Sequence, residues 1–173
     1  MSRDLRPWRR SAVPRSVLAV RMPSNGSETE MTDPATQDVM QGYLAALVGR
    51  SDFARFFAPD VRWTTMETGE QVVGRDAVRD LIVGLHTQAF DAHPQLVDVV
   101  VGDGTAVLEA RFVGRHVDEF AGIPATGTDV DVPYAVAYRI AGGLITELHA
   151  YMPVLALRTQ LADAAARRTP VAG

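Results

Sequence analysis

The chain contains no cysteine, which removes thiol nucleophiles, thiolate metal ligands and disulfides together. Lysine is absent as well: all 17 basic residues are arginine, so no imine-forming amine exists on a side chain. No serine follows Ser51 and no G-x-S-x-G occurs, which argues against a serine hydrolase. The only asparagine is Asn25. Apolar runs are short, Val99–Val101 and Ala135–Tyr138 among the longest, and none could span a bilayer. The four histidines, His86, His93, His116 and His149, show no H-x-x-x-H or H-E-x-x-H spacing. Gly-rich phosphate-binding patterns are missing too. The expectation is therefore no metal and no cofactor.

What remains is a chain of 173 residues, 47% hydrophobic and 22% charged, with a formal charge of −4. This is long enough for one domain with a real core, and gives no reason to expect nucleic acid or membrane as a partner. Chemistry in the core is left to His, Asp, Glu, Tyr, Thr, Arg and backbone amides. Non-covalent acid–base catalysis leads on that inventory.

Residues 1–31 hold six arginines against three acids, with Pro7, Pro14 and Pro23. They are expected to form a disordered arm, or an extension ahead of a later start at Met22 or Met31. No convincing signal-peptide core is present. Residues 32–168 are the expected domain and 169–173 a tail. Asp33-Pro34 predicts a helix start, followed by the stripe Met40, Tyr43, Leu44 and Leu47. A short second helix is expected through Phe53, Phe56 and Phe57, then a strand over Val61–Glu67. A third helix should run from Arg75 to about Phe90, burying Val78, Leu81, Ile82, Leu85 and Ala89, with His86 at the stripe's edge. Strands follow at about 95–102, 105–116, 129–140 and 143–153, and a final helix over Val154–Arg168. Helices first and long strands afterwards read as α+β.

Alternation assigns faces. Leu108, Ala110, Phe112 and His116 point inward from one strand, and Val130, Val132, Tyr134, Val136 and Tyr138 from the next. In the last strand Leu144, Thr146, Leu148, Ala150 and Met152 are the inward set, and Ile145, Glu147, His149 and Tyr151 the outward one. Inward tyrosines and a strand-end histidine are most simply core residues, yet they converge with Trp63 and Thr65 on one interior.

Residues 111–152 carry a further pattern: Gly114-Arg115-His116 at a strand end, Phe120-x-Gly122-Ile123-Pro124-x-Thr126-Gly127, a tyrosine-bearing strand and Gly142-Gly143. Over roughly residues 36 to 162 the chain resembles the SnoaL-like polyketide cyclases of the nuclear transport factor two-like superfamily. The resemblance implies a cone-shaped α+β barrel, its curved mixed or antiparallel sheet wrapped around N-terminal helices and enclosing a pocket. It implies a cytoplasmic enzyme of antibiotic biosynthesis or other secondary metabolism, acting as a cofactor-independent cyclase or isomerase on a hydrophobic polyketide-like carbonyl compound. It also implies a homodimer or dimer of dimers through the outer sheet face. The family's catalytic aspartate falls on Ala150 and its assisting histidine on Val136, so both groups are missing.

The expected catalytic candidates are then His116, Tyr134, Tyr138 and Glu67, with His149 and Tyr151 as alternatives if the last strand shifts by one residue. Glu67 in an apolar surround would have a raised pKa suited to proton transfer. Trp63, Thr65, Tyr43, His86, Phe112 and Leu148 are the expected substrate-binding residues. Two other functions stay open: a non-catalytic binder of a small hydrophobic molecule, and an epoxide or lactone hydrolase, which needs paired inward carboxylates.

Overall fold

The computed structural model describes residues 34–168. The expected N-terminal arm, the Asp33 cap and the C-terminal tail lie outside the described residues. Helix α1, Pro34–Val48, buries Met40, Tyr43 and Leu44, the stripe its spacing predicts. A 3-10 turn, Ala54–Phe56, leads into β1, Phe57–Thr65, which begins earlier than its alternation indicates. Strand β2, Gln71–Val73, precedes α2, Arg75–Val83, and the helical path continues as a π-helical turn over Gly84–Ala89. Strands β3 (Phe90–Ala92), β4 (Gln95–Gly102), β5 (Thr105–His116), β6 (Asp129–Ala141) and β7 (Leu144–Tyr151) follow, and α3, Val154–Arg168, closes the domain.

The seven described strands form one sheet in the order β2-β1-β7-β6-β5. The far edge of β5 is shared end to end, with β4 pairing Thr105 to Arg111 and β3 pairing Gly114 to His116. All pairs are antiparallel except β1 with β7, so the sheet is mixed. This is the expected α+β architecture, with helices on the inner side of a curled sheet. Thr36 ties the start of α1 to the β4–β5 turn, its hydroxyl accepting from the Gly104 N–H at 3.2 Å. The β6–β7 hairpin turns on Gly142 and Gly143, with φ of +58° and +76°, a backbone that glycine adopts without penalty.

Three features depart from the expectations. Leu81 is 36% exposed rather than part of the buried stripe of α2, whose core contacts are Val78 and Ile82. The helical path ends at Ala89, and Phe90 opens a strand instead of closing the helix. In β7 the register shifts between Arg139/Glu147 and Ile140/Ile145, leaving Thr146 as an extra residue. That bulge turns Ile145 inward (0% exposed), while Leu148 and Ala150 keep the inward direction that alternation gives them.

Gly114 explains how β3 is held. A Cβ there would lie 2.8 Å from the Ala92 Cα and 2.9 Å from the Asp91 carbonyl oxygen, both backbone atoms that cannot swing aside. Gly114→Val is expected to cost about 1–3 kcal/mol by prising β3 from β5. Urea denaturation checks this, together with faster hydrogen exchange at the His93 N–H, which donates to Val113.

Candidate active site

The described interior divides into two hydrophobic clusters that meet at Tyr134. The larger contains α1 and most inward side chains of β1, β4, β5, β6 and β7. Tyr43 and Tyr138 both lie in it at 2% exposure, their rings 5.6 Å apart. Burial holds both phenols far above the ordinary tyrosine range, so both stay protonated. Leu148 is fully buried in the same cluster and Trp63 packs against it. The Trp63 indole N–H donates to the Thr65 hydroxyl at 3.1 Å.

The smaller cluster is built on Phe90 and Phe112, with Leu157 and Leu161 of α3 packed over it. Phe90 and Phe112 meet edge to face at 5.2 Å. His86, from the π-helical turn, sets its ring 5.4 Å from Phe112, and His116, at the end of β5, sets its ring 5.1 Å from Phe90. Tyr134 approaches Phe112 from β6 at 6.5 Å; burial pushes its phenol up to about 12, leaving it a hydrogen-bond donor at neutral pH. Of the side chains singled out from sequence, this cluster gathers His86, Phe112, His116 and Tyr134.

Each histidine has one ring nitrogen fixed by the protein. The His116 Nδ1 accepts from the Thr126 backbone N–H at 3.2 Å, and lies 3.0 Å from the Thr126 hydroxyl. An amide N–H can only donate, so Nδ1 is bare and the proton of the neutral ring sits on Nε2. The His86 Nδ1 lies 2.7 Å from the Ile82 carbonyl oxygen. A carbonyl can only accept, so here the proton sits on Nδ1 and Nε2 carries the lone pair. Both Nε2 atoms are buried, and among the described residues no group hydrogen-bonds either one. The Asp118 backbone carbonyl and the Asp118 carboxylate both favour the protonated state of His116, but neither closes a hydrogen bond to its Nε2.

Desolvation holds both imidazoles below their ordinary value of 6.5; the Ile82 carbonyl partly offsets this at His86, and the Arg50 guanidinium adds to it. The unfolded chain therefore binds protons at a pH where the native imidazoles remain neutral. Stability is expected to fall as pH drops through the unfolded value of 6.5, the loss being complete below the folded pKa values. Denaturant midpoints at about pH 7.5 and about pH 5.5 check this, and His116→Phe should flatten the difference.

The other candidates lie elsewhere. Strand β1 stops at Thr65, so Glu67 sits exposed in the following turn, and its carboxylate accepts from the Leu155 N–H at 2.9 Å, capping α3. The apolar surround expected for it is not there. His149 and Tyr151 lie on the outer sheet face, His149 3.4 Å from Glu147 and Tyr151 51% exposed. Ala150 and Val136 are cross-strand partners, both inward and buried. The positions to which the resemblance carries the aspartate and histidine are thus adjacent and apolar. Thr126, which sets the tautomer of His116, was missed as a site residue, although it stands in the G-I-P-x-T pattern. No group of three metal-binding side chains converges among the described residues, and no described helix is long and apolar enough to cross a membrane.

A family model for the SnoaL-like domain matches residues 41–148, more than half of the chain, and the protein belongs to that family. A solved structure from Jannaschia sp. CCS1, provisionally named a SnoaL-like polyketide cyclase, superposes with a TM-score of 0.69 at 21% identity, covering 79% of this chain and 98% of that one. TsrD from Streptomyces laurentii superposes with a TM-score of 0.61 at 28% identity, over 76% of this chain and 98% of that one. A provisionally named ketosteroid isomerase from Kribbella flavida DSM 17836 gives 0.56 at 21% identity, over 71% and 82%. These likenesses make the fold the cone-shaped one of the nuclear transport factor two-like superfamily. Comparison with curated proteins finds no match.

Proposed function

We propose that the protein is a cofactor-independent cyclase or isomerase of a hydrophobic, polyketide-like carbonyl compound. One observation carries the reading: two imidazoles from separate elements border the same pair of phenylalanines, each with a buried nitrogen that no described group bonds. An unpaired polar atom in an apolar surround costs about 1–3 kcal/mol, a cost that a polar ligand atom removes. The His116 Nε2–H suits a carbonyl oxygen and would strengthen its bond as that oxygen becomes an enolate. Tyr134, beside Phe112, offers a second donor, whereas Tyr43 and Tyr138 lie in the larger cluster. Family membership and the named cyclase and isomerase relatives support the same class.

β-Tetralone, a bicyclic ketone with acidic α-hydrogens, provides the test. The protein should bind it and accelerate exchange of those hydrogens for deuterium, followed by proton NMR. His116→Phe should slow exchange about 10²–10³-fold, the usual effect of losing one oxyanion donor. Binding without exchange would instead establish the second reading, a non-catalytic hydrophobic-ligand protein, which the apolar pair Ala150 and Val136 favours. A hydrolase has no support here, because no carboxylate is buried among the described residues.

Assembly through the outer sheet face belongs to the same proposal. Val100, Val107 and Tyr151 are all more than two-fifths exposed there. Sedimentation should give a dimer or larger, and Val107→Glu should shift it toward monomer.

A further inference from the structure

We propose that His86 is the general base of this site, supplying through its Nε2 the role of the missing aspartate from a different element, with His116 as the fixed hydrogen-bond donor. This rests on the cyclase or isomerase reading and deepens it by dividing the proton chemistry between two residues of the same type.

The two rings are held in opposite tautomers. His86 gives its Nδ1 proton to the Ile82 carbonyl, so its Nε2 lone pair is the free end. His116 receives the Thr126 N–H on Nδ1, so its free end is an N–H. Protonating His86 at Nε2 leaves the Ile82 bond intact and strengthens it, because the ring becomes a cationic donor. Protonating His116 would place the second proton on Nδ1 and so break the bond that the Thr126 N–H makes there, leaving only the Thr126 hydroxyl oxygen as partner. His86 can therefore take up a proton and keep its contact, whereas His116 does so only by giving up the Thr126 N–H bond.

The local backbone fits this division. His86 lies in a π-helical turn, Gly84–Ala89, at the end of α2. A π turn carries an extra residue and rotates the side chains that follow it off the α-helical stripe, an irregularity frequent at functional sites. The charged group that reaches the ring is Arg50, whose guanidinium is partly satisfied by the Ala92 carbonyl at 3.1 Å and by Asp91 at 3.9 Å. Phe112 faces the ring from β5 and carries no charge.

The step balances without any further reactant. The His86 Nε2 lone pair forms an N–H bond as the C–H bond α to the ketone breaks. The C–H electrons become the enolate C=C bond, and the carbonyl π pair moves to oxygen, which the His116 N–H stabilises. Return of the same proton to another carbon gives isomerisation. Attack of the enolate carbon on a second carbonyl gives ring closure, with the His86 proton passing to the new alkoxide.

His86→Asn and His86→Gln test the assignment. Asn keeps an N–H where Nδ1 stands and so preserves the Ile82 bond; Gln is the second variant should the first fold poorly. Either should slow deuterium exchange of β-tetralone about 10²–10⁴-fold while binding of β-naphthol, the aromatic enol analogue, persists. Exchange at an undiminished rate in a folded variant would overturn the base assignment and leave the enzymatic reading standing. Wild-type protein that binds β-naphthol yet accelerates no exchange would overturn both. Nitrogen-15 spectra of the wild-type rings decide independently of turnover: a proton on Nδ1 of His86 and on Nε2 of His116 is expected, and a His86 proton on Nε2 would sink the proposal.

Discussion

Replacing Phe112 by alanine is expected to lower the unfolding free energy by about 3–5 kcal/mol, the usual cost of emptying a buried phenylalanine site. Phe112 is 1% exposed and touches three rings, those of His86, Phe90 and Tyr134. Those neighbours come from the π-helical turn, β3 and β6, elements tied down in different directions, so the cavity cannot close by a small shift of any one of them. Against a typical domain stability of about 5–15 kcal/mol, the loss is a large fraction of the total. Urea denaturation measures it. A midpoint close to the wild-type value would mean that the cluster collapses onto the space, and that the phenylalanine pair does not hold the two histidines in place.

The second large effect concerns Ala150. Ala150→Asp sets a carboxylate at a position 2% exposed, opposite Val136 and inside the larger cluster. With no buried Arg among the described residues to pair it, the expected loss is about 3–5 kcal/mol at neutral pH, as for a buried charge deprived of its partner. Desolvation should raise the new carboxyl's pKa, so the folded state binds its proton more tightly than the unfolded one. The penalty then shrinks as pH falls through the raised folded value toward the unfolded one, opposite in sign to the histidine effect. Denaturation curves at neutral and mildly acidic pH separate the two. A loss below about 1 kcal/mol would show that water reaches the position, since exposed substitutions cost little.

Much of the framework was legible along the chain. The bounds of β4, β5 and α3 follow from alternation, glycine turns and a renewed helical stripe. Strands β2 and β3 were not legible, because three residues are too few to display a period. The parallel pairing of β1 with β7 joins segments far apart in sequence, so no local pattern announces it. The β7 bulge at Thr146 escapes a strict alternation for a related reason: the extra residue is defined only against its partner strand.

The site divides in the same manner. Alternation alone carries His116 and Tyr134 inward, and the resemblance alone marks Ala150 and Val136 as the place where acid–base groups are lost. Glu67 looked inward only while its strand was extended past Thr65; the turn releases it to cap α3 instead. The pairing of Tyr43 with Tyr138, and the separation of that pair from the two histidines, depend on how α1 seats against β6.

By itself the sequence determined the class of fold, the direction of most strand side chains and the kind of chemistry left to a chain without cysteine or lysine. These follow from periodicity and from which functional groups exist at all, and both are local properties. Only the tertiary structure decided which histidine can take up a proton without losing a contact and which must give one up. That difference turns on whether a carbonyl or an amide N–H meets each Nδ1, a fact of contact rather than of residue type.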